Sequence, residues 1–226
     1  MQLTYFGHSC FSVAASGRTL LFDPFITPNP LAAHIDVDTV SADYLLLSHG
    51  HADHLADAAA IAKRTGATVI APFEVGNWIA GQGVATVRHM NHGGRASFDF
   101  GTVKLTNAIH SSSLPDGSYG GNPAGFLVTV SGESFYYSGD TALTLDMQLI
   151  GESARLRFAV LPIGDNFTMG CEDALTASRF LQCDQIVGAH YDTFPPIKID
   201  HARAVALFQQ AGKTLHLPAI GGRLDF

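Results

Sequence analysis

Three histidines and one aspartate lie within six consecutive residues, in the order His-Gly-His-Ala-Asp-His at residues 49–54. Neutral imidazole and carboxylate are side chains that Zn²⁺ and its first-row neighbours bind. An apolar run at residues 43–48 precedes this string and predicts a buried strand, and the Ala-rich segment 55–63 predicts a helix after it. The string is therefore predicted to form a metal-binding turn between a strand and a helix.

The spacing within the string divides its side chains between two metal ions. Residues two apart in an extended segment point to the same side, so His49 and His51 can bind one ion together. Asp53 and His54 enter the first turn of the predicted helix and are displaced towards a second ion. A solvent-exposed polar turn is the alternative, and it is disfavoured because turns are typically rich in Gly, Asn or Ser rather than in histidine.

Three further polar residues follow predicted strands later in the chain. His110 follows the strand 103–109, Asp140 follows the strand 134–137, and His190 follows the strand 185–189. Each residue taken alone fits a cap or a turn. Together they fit ligands of one site, because the C-terminal ends of parallel strands are a usual location for functional residues.

This series of motifs resembles the metallo-β-lactamase superfamily of hydrolases over nearly the whole chain. Shorter segments at residues 7–11, 23–25, 163–167 and 190–195 resemble the small prokaryotic metal-dependent hydrolases related to ascorbate-phosphate lactonase. The resemblance implies an α/β fold in which residues 1–226 form a single metallo-hydrolase domain. That fold is a four-layer αββα sandwich with the metals at one sheet edge.

The resemblance also implies how seven side chains bind two divalent ions. His49, His51 and His110 bind one ion, Asp53, His54 and His190 bind the other, and Asp140 bridges them. Zinc is the favoured metal, although manganese, iron and nickel also accept His and Asp ligands.

Departures from other branches of the superfamily narrow the activity. Asp140 stands where the antibiotic-cleaving members have a cysteine ligand, and His51 stands where the flavodiiron oxidoreductases have glutamate. These two positions therefore disfavour a β-lactamase and an enzyme of O₂ or NO chemistry.

The predicted activity is hydrolysis of a small molecule by a hydroxide held between the two ions, with its pKa lowered from about 15.7 towards 7. Asp140 would keep the ions at a fixed separation, and Asp53 would orient the nucleophile as well as bind metal. An ester or lactone is the leading substrate, and a small phosphodiester is the alternative. A non-catalytic metal-binding protein is the rival class, disfavoured because seven ligands exceed the four of a structural zinc site.

Five residues outside the ligand set have roles that the sequence leaves open. His8, in a Gly-His-Ser segment, is assigned to the catalytic cleft, with a buried histidine bonded to backbone as the alternative. Asp23 either hydrogen-bonds a metal-bound imidazole or caps a turn. Asn166 and Tyr191 are candidate substrate contacts, with loop packing favoured, and Lys198 is a candidate anion contact, with an exposed lysine as the default.

Composition limits the partners and the location of the protein. The 226 residues carry a net charge of −7 with no cluster of Lys or Arg, so nucleic acid is not expected as a partner. No apolar run reaches the roughly 20 residues that span a bilayer, and no basic leader precedes an apolar stretch. Three scattered cysteines fit reduced thiols and a cytoplasmic location. The oligomeric state stays open, a homo-oligomer included.

The predicted elements form two sheets packed together with helices outside. Strands dominate the start of the chain, at residues 2–6, 10–15 and 18–22, and strands and helices alternate in the last third. A helix is predicted over residues 54–65, and a hairpin turn over residues 90–94.

Overall fold

Two seven-stranded β-sheets form the centre of the computed structural model, which describes all residues 1–226. The first sheet has the order β14-β1-β2-β3-β4-β5-β6, with antiparallel pairing up to β3 and parallel pairing beyond it. Its strands are β1 (Gln2–Gly7), β2 (Cys10–Ala15), β3 (Arg18–Phe22), β4 (Tyr44–Leu46), β5 (Thr68–Pro72), β6 (Val87–Met90) and β14 (Arg223–Asp225).

The second sheet has the order β13-β12-β11-β10-β9-β8-β7. Strands β10 to β13 pair in parallel, and β7 to β10 pair antiparallel. Its strands are β7 (Arg95–Phe98), β8 (Gly101–Asn107), β9 (Ala124–Val130), β10 (Glu133–Tyr137), β11 (Leu156–Pro162), β12 (Gln185–Ala189) and β13 (Thr214–His216).

The chain has six α-helices, which are α1 (Ala52–Leu55), α2 (Ala58–Thr65), α3 (Phe73–Gly81), α4 (Asp146–Ser153), α5 (Cys171–Phe180) and α6 (His201–Gln210). Helices α2 and α3 bury Ile61 and Val75 against Val69 on the outer face of the first sheet. Helices α5 and α6 bury Ala174 and Phe208 within the core of the second sheet. The predicted four-layer αββα sandwich is confirmed.

Aromatic side chains fill the space between the two sheets. Phe11 and Phe22 of the first sheet stack with ring centroids 4.5 Å apart, and Phe22 meets Phe135 of the second sheet at 5.9 Å. Tyr137 packs edge-on against Phe11 at 5.1 Å. Each ring of this kind removes roughly 150–250 Å² from water, so it contributes about 4–6 kcal/mol before the entropy cost. This dry core holds the ends of β3 and β10 in place beside the site described below.

Two predicted elements differ from the structure. The segment 90–94 is not a hairpin, because β6 and β7 lie at edges of different sheets and the segment crosses from one sheet to the other. The helix predicted over 54–65 is interrupted at residues 56 and 57. Strand β14 is absent from the predicted elements. Cys10, Cys171 and Cys183 form no disulfide, as predicted, and none of the helices has the length and apolar character needed to cross a bilayer.

Candidate metal centre

The predicted ligands follow the C-terminal ends of strands that meet at one edge of the sandwich. His49 and His51 lie in the turn between β4 and α1, and His110 follows β8. Asp140 and His190 follow β10 and β12, which run in the same direction as β8 because β9 is antiparallel to both of its neighbours. The topology therefore brings residues that are far apart in the chain to one place.

The predicted ligands form two clusters, in each of which the candidate ligand atoms lie within 4.8 Å of one another. The first cluster consists of His49, His51 and His110. The second consists of Asp53, His54, His190 and, in addition, His8. The structure thus brings together the two sets expected from the sequence and adds His8 to one of them.

Asp140 lies between the two clusters. Its Oδ2 atom is 3.0 Å from His190 Nε2 and 3.2 Å from His54 Nε2. The same atom is 3.7 Å from His110 Nε2 and 4.0 Å from His49 Nε2. Gly139 precedes it with φ of 62°, and a Cβ there would lie 2.6 Å from the Ala124 carbonyl oxygen, so glycine is required. One carboxylate oxygen therefore faces two imidazoles of each cluster, which is the position that a bridging ligand needs.

Asp23, at the end of β3, fixes the ring protons of two histidines. Its buried Oδ2 accepts hydrogen bonds from His54 Nδ1 at 2.8 Å, Ser48 Oγ at 2.5 Å and the Tyr137 hydroxyl at 2.6 Å. A carboxylate only accepts, so His54 carries its proton on Nδ1 and leaves Nε2 as a lone pair. Ser48 donates its single hydroxyl proton to Asp23, so its Oγ atom accepts a hydrogen bond from His49 Nδ1 at 2.9 Å. The Nε2 lone pair of His49 is likewise left for the cluster.

Two polar atoms of the predicted ligands Asp140 and His54 have no hydrogen-bond partner although they are buried. These atoms are His54 Nε2 and Asp140 Oδ1. Burying a polar atom without a partner costs free energy, so such atoms need another ligand. His49 Nε2, which carries a lone pair, lies 2.9 Å from His51 Nδ1, so the two ring nitrogens point at the same place. This donor set fits divalent metal ions.

The charges of the centre lead to the same conclusion. Burial lowers the pKa of His49 well below its ordinary value, so its imidazole is neutral and free to bind a cation. Burial also lowers the pKa of His54, but the carboxylates of Asp140 and Asp23 outweigh burial and hold that pKa well above its ordinary value. Without a metal ion these carboxylates favour a second proton on His54, and a metal ion bound at Nε2 would supply the positive charge in its place.

Both carboxylates of the clusters are ionised. Burial raises the pKa of Asp140, but the charges of His54 and His190 outweigh it, and the net pKa lies well below the usual range. Burial also raises the pKa of Asp53, and the hydrogen bond from His8 together with the charge of His54 more than reverses that effect. Two ionised carboxylates beside the imidazoles provide the electrostatic part of a cation site.

His8 joins the turn after β1 to the second cluster. Its Nε2 lies 3.0 Å from Asp53 Oδ2, and its Nδ1 lies 3.0 Å from Thr193 Oγ1. Burial lowers the pKa of His8 to about 4, so the neutral ring donates from Nε2 to Asp53 and accepts from Thr193. The His190 backbone N–H also donates to the His8 carbonyl oxygen at 2.9 Å. His8 therefore contacts the second cluster through its side chain but does not line the cavity next to the two clusters, and its catalytic role stays a prediction.

A cavity of about 270 Å³ opens directly onto the two clusters. Five predicted ligands line it, together with three other residues. The five are His51, Asp53, His110, Asp140 and His190, and the three are Ser111, Phe167 and Phe194. Ser111 Oγ lies 3.3 Å from His51 Nε2. The ligand side chains are therefore accessible to a small molecule.

This architecture and its candidate ligands match a known protein family. The model of the beta-lactamase superfamily domain matches residues 2–190, which is most of the chain. The chain belongs to the metallo-β-lactamase superfamily. This membership agrees with the resemblance seen in the motifs and with the αββα sandwich.

Relatives of this superfamily member extend over its full length. Proteins named UPF0173 metal-dependent hydrolase include one from Flavobacterium johnsoniae, 48% identical over 225 residues that cover 100% of both chains. Another, from Methylacidiphilum infernorum, is 51% identical over 209 residues that cover 92% of each chain. The solved structure of Igni18, a metallo hydrolase from the archaeon Ignicoccus hospitalis, matches with a TM-score of 0.90 and 35% identity, covering 100% of this chain and 98% of its own. Metal-dependent hydrolase is therefore the class of enzyme to which this superfamily member belongs.

Three residues singled out in the sequence lie outside the cavity of this metallo-β-lactamase fold. Asn166 is exposed, and its neighbour Phe167 lines the cavity instead. Tyr191 is buried and stacks on Tyr5 with ring centroids 6.2 Å apart, so the packing alternative describes it. Lys198 is exposed and lines a different cavity, so it is not an anion contact of the metal centre.

Ser48 and Tyr137 are absent from the residues predicted from the sequence, although both hydrogen-bond Asp23. Each ends or directly follows a strand beside a predicted ligand, Ser48 before His49 and Tyr137 three residues before Asp140. A hydroxyl in such a position is the signal that could have identified them. Thr193 lies in the segment 190–195, but its contact with His8 depends on the fold.

Proposed function

We propose that this hydrolase binds two divalent metal ions and cleaves a small ester or lactone. The observation that supports two ions is the position of Asp140 Oδ2, within 4.0 Å of imidazole nitrogens from both clusters. In this proposal His49, His51 and His110 hold one ion, while Asp53, His54 and His190 hold the other. Zinc is the favoured metal, and manganese, iron and nickel suit the same ligands.

Such ions supply Lewis acidity and a water whose pKa is lowered to about 7. The protein orients the ligands and the nucleophile. Asp23 holds the ring of His54 directly and the ring of His49 through Ser48, so one carboxylate orients a ligand of each cluster. Asp53 is held by His8 on one side and lines the cavity on the other, which suits it to orient the nucleophilic water.

The size of the cavity supports a small-molecule substrate. A volume of about 270 Å³ lies near the lower end of the range of roughly 300–1,000 Å³ found for small-molecule sites. A carbonyl carbon at the ligands would leave room for a short acyl or alkyl chain. An ester or a lactone fits this space, and its reaction uses the nucleophile and the electrophilic assistance that the site provides.

Metal analysis with His110→Ala tests the proposal. Protein purified without chelator should contain close to two divalent ions per chain, and His110→Ala should lose part of that content because one ligand of the first cluster is gone. Chelation should abolish hydrolysis of 4-nitrophenyl butyrate and leave the far-ultraviolet circular dichroism spectrum. The folding energy comes from the apolar core between the sheets, so the chain stays folded without metal.

Two outcomes would contradict the proposal. A metal content near one ion per chain in the fully active wild-type enzyme would overturn the two-ion site. A His110→Ala variant with full metal content and unchanged metal affinity would remove His110 from the ligands.

A further inference from the structure

The wall of the metal cavity that faces away from the ligands carries no positive charge. Beyond the five predicted ligands, the lining consists of Ser111, Phe167 and Phe194. The chain has 13 Lys and Arg residues, and none of them lines this cavity. A substrate held at the ligands would therefore place its remaining atoms against two aromatic rings and one hydroxyl.

Phe194 forms the fixed part of this wall. Its ring centroid lies 5.4 Å from the His8 ring and 6.3 Å from the Phe25 ring, and both contacts are aromatic. His8 is itself held by Asp53 and Thr193. The position of the Phe194 ring is therefore set by the same contacts that set the second cluster.

Phe167 forms the open part of the wall. Its side chain is 53% exposed although it is large and apolar. It follows Asp165 and Asn166, whose φ angles of 60° and 57° are tolerated best by Asp, Asn and Gly. The Asp165 backbone N–H donates to the Met169 carbonyl oxygen at 3.0 Å and closes this turn. The turn thus holds an unpartnered aromatic ring at the cavity, where contact with an apolar ligand would remove it from water.

The lack of positive charge in the wall determines which substrates can lie against it. Burying a charged group against aromatic rings without a partner costs free energy, and no Lys or Arg side chain lines this cavity to pair with such a group. We infer that the metal cavity takes substrates whose non-reacting part is small, uncharged and apolar, and that Phe167 is the specificity-determining residue that contacts it.

This inference rests on the proposed hydrolase function and names its substrate class. At the roughly 30 Å³ that one water molecule occupies in the liquid, the cavity of about 270 Å³ holds about nine non-hydrogen atoms of a substrate. Short-chain or aryl-substituted esters and lactones meet this description. Esters of dicarboxylic acids do not, because the free carboxylate would lie against a wall that has no positive charge to pair with it.

A matched pair of esters tests the inference. 4-Nitrophenyl butyrate and 4-nitrophenyl hemisuccinate share the reacting bond and the acyl length, and differ in a terminal methyl group or carboxylate. In the wild-type enzyme kcat/KM for the butyrate should exceed that for the hemisuccinate by about 10-fold or more. Phe167→Ala should lower kcat/KM for the butyrate by about 10-fold, chiefly through KM, and should change the hemisuccinate value little. Phe167→Arg should move the preference towards the hemisuccinate.

Phe73→Ala is the control variant. The Phe73 side chain is 52% exposed, close to the value for Phe167, and lies outside the cavity. Both esters should be hydrolysed by Phe73→Ala at wild-type rates.

Binding of 4-nitrobenzyl alcohol to the zinc-loaded enzyme, followed by saturation-transfer NMR, supplies a readout that needs no turnover. Phe167→Ala should weaken this binding, and Phe73→Ala should leave it unchanged. The inference is overturned if the hemisuccinate is hydrolysed as well as the butyrate, or if Phe167→Ala leaves binding of the alcohol unaltered. Binding that depends on Phe167 without hydrolysis of any substrate would contradict the proposed function and leave the inference standing.

Discussion

Asp140 is the residue on which a two-metal site in this chain depends most. A carboxylate can bind two cations through separate oxygens, and its charge offsets part of their mutual repulsion. Its Oδ2 faces histidines of both clusters, and its Oδ1 is buried without a hydrogen-bond partner. Both oxygens are therefore placed where they could bind metal ions. Removing the charge of Asp140 while keeping its shape tests this role.

We expect Asp140→Asn to lower kcat/KM by roughly 100-fold, equivalent to about 2.7 kcal/mol of transition-state stabilisation. The amide has one good acceptor oxygen and no charge, so at least one metal ion should bind more weakly. Asn and Asp have nearly the same volume, so the fold should be retained. Kinetics and metal analysis of the purified variant measure both effects.

Asp165→Asn is the matched control, because Asp165 is exposed and belongs to neither cluster. It should keep its metal and most of its activity. If Asp140→Asn also keeps two ions and a near-normal rate, the bridging role is wrong.

At the scale of single residues, the clustering of the candidate ligands could be predicted and the cavity wall could not. The string 49–54 has a local pattern that few other functions produce, and His110, Asp140 and His190 each follow an apolar strand. The wall depends on which side chain of a loop faces inwards. Asn166 and Phe167 are neighbours, and the turn places Phe167 at the cavity, a position that the sequence alone does not indicate.

At the scale of elements, the break between α1 and α2 connects the metal-binding turn to the Pro-rich loop after β3. Asp57 occupies the break, and its buried Oδ2 accepts hydrogen bonds from the backbone N–H groups of Ile26 at 2.7 Å and Thr27 at 2.9 Å. These bonds hold the loop that carries Phe25, whose ring lies 5.4 Å from the His8 ring. The interruption therefore allows Asp57 to hold this loop through two backbone hydrogen bonds.

Asp57→Ala should lower the free energy of unfolding by about 2–4 kcal/mol, because two backbone donors lose a charged acceptor. The folded variant should keep most of its kcat/KM, since Asp57 lies outside both clusters. Asp57→Asn keeps an acceptor oxygen at the same place and should recover most of the lost stability. Urea denaturation of the three proteins measures the difference, and an Asp57→Ala value within 0.5 kcal/mol of wild type would show that the loop is held by other contacts.

The elements that sequence could predict are those with a strong local pattern. Strands β1 to β3 have apolar alternation and a Ser-Gly turn, and their bounds agree with the prediction within one residue. Strand β14 has three residues and exists because Leu224 pairs with Leu3 at the other end of the chain. The turn at 91–94 contains two glycines that fit a hairpin, but only the packing of the two sheets determines that the next strand belongs to the other sheet.

At the scale of the whole molecule, the metal centre lies at an edge and the folding energy lies in two apolar cores. One core fills the space between the sheets and reaches under α4 to α6, and the other lies between the first sheet and its helices. Cys183 belongs to the larger core and is 1% exposed. Its thiol gives this core a dependence on pH that is separate from the metal centre.

The free energy of unfolding should fall as the pH rises from 9 towards 11. Burial raises the pKa of Cys183 from 9.0 to about 11, so between these values the unfolded chain has lost a proton that the folded chain keeps. The stabilisation is fully present below pH 9 and is lost as the pH rises to about 11, and this residue accounts for about 2 kcal/mol of the loss at pH 10.5. Urea denaturation of the wild type and of Cys183→Ala at pH 8 and pH 10.5 measures the contribution. The variant should start less stable by about 1 kcal/mol and should then lose about 2 kcal/mol less than the wild type on the same change of pH. An equal loss in the two proteins would show that the buried thiol is not what makes the core sensitive to alkaline pH.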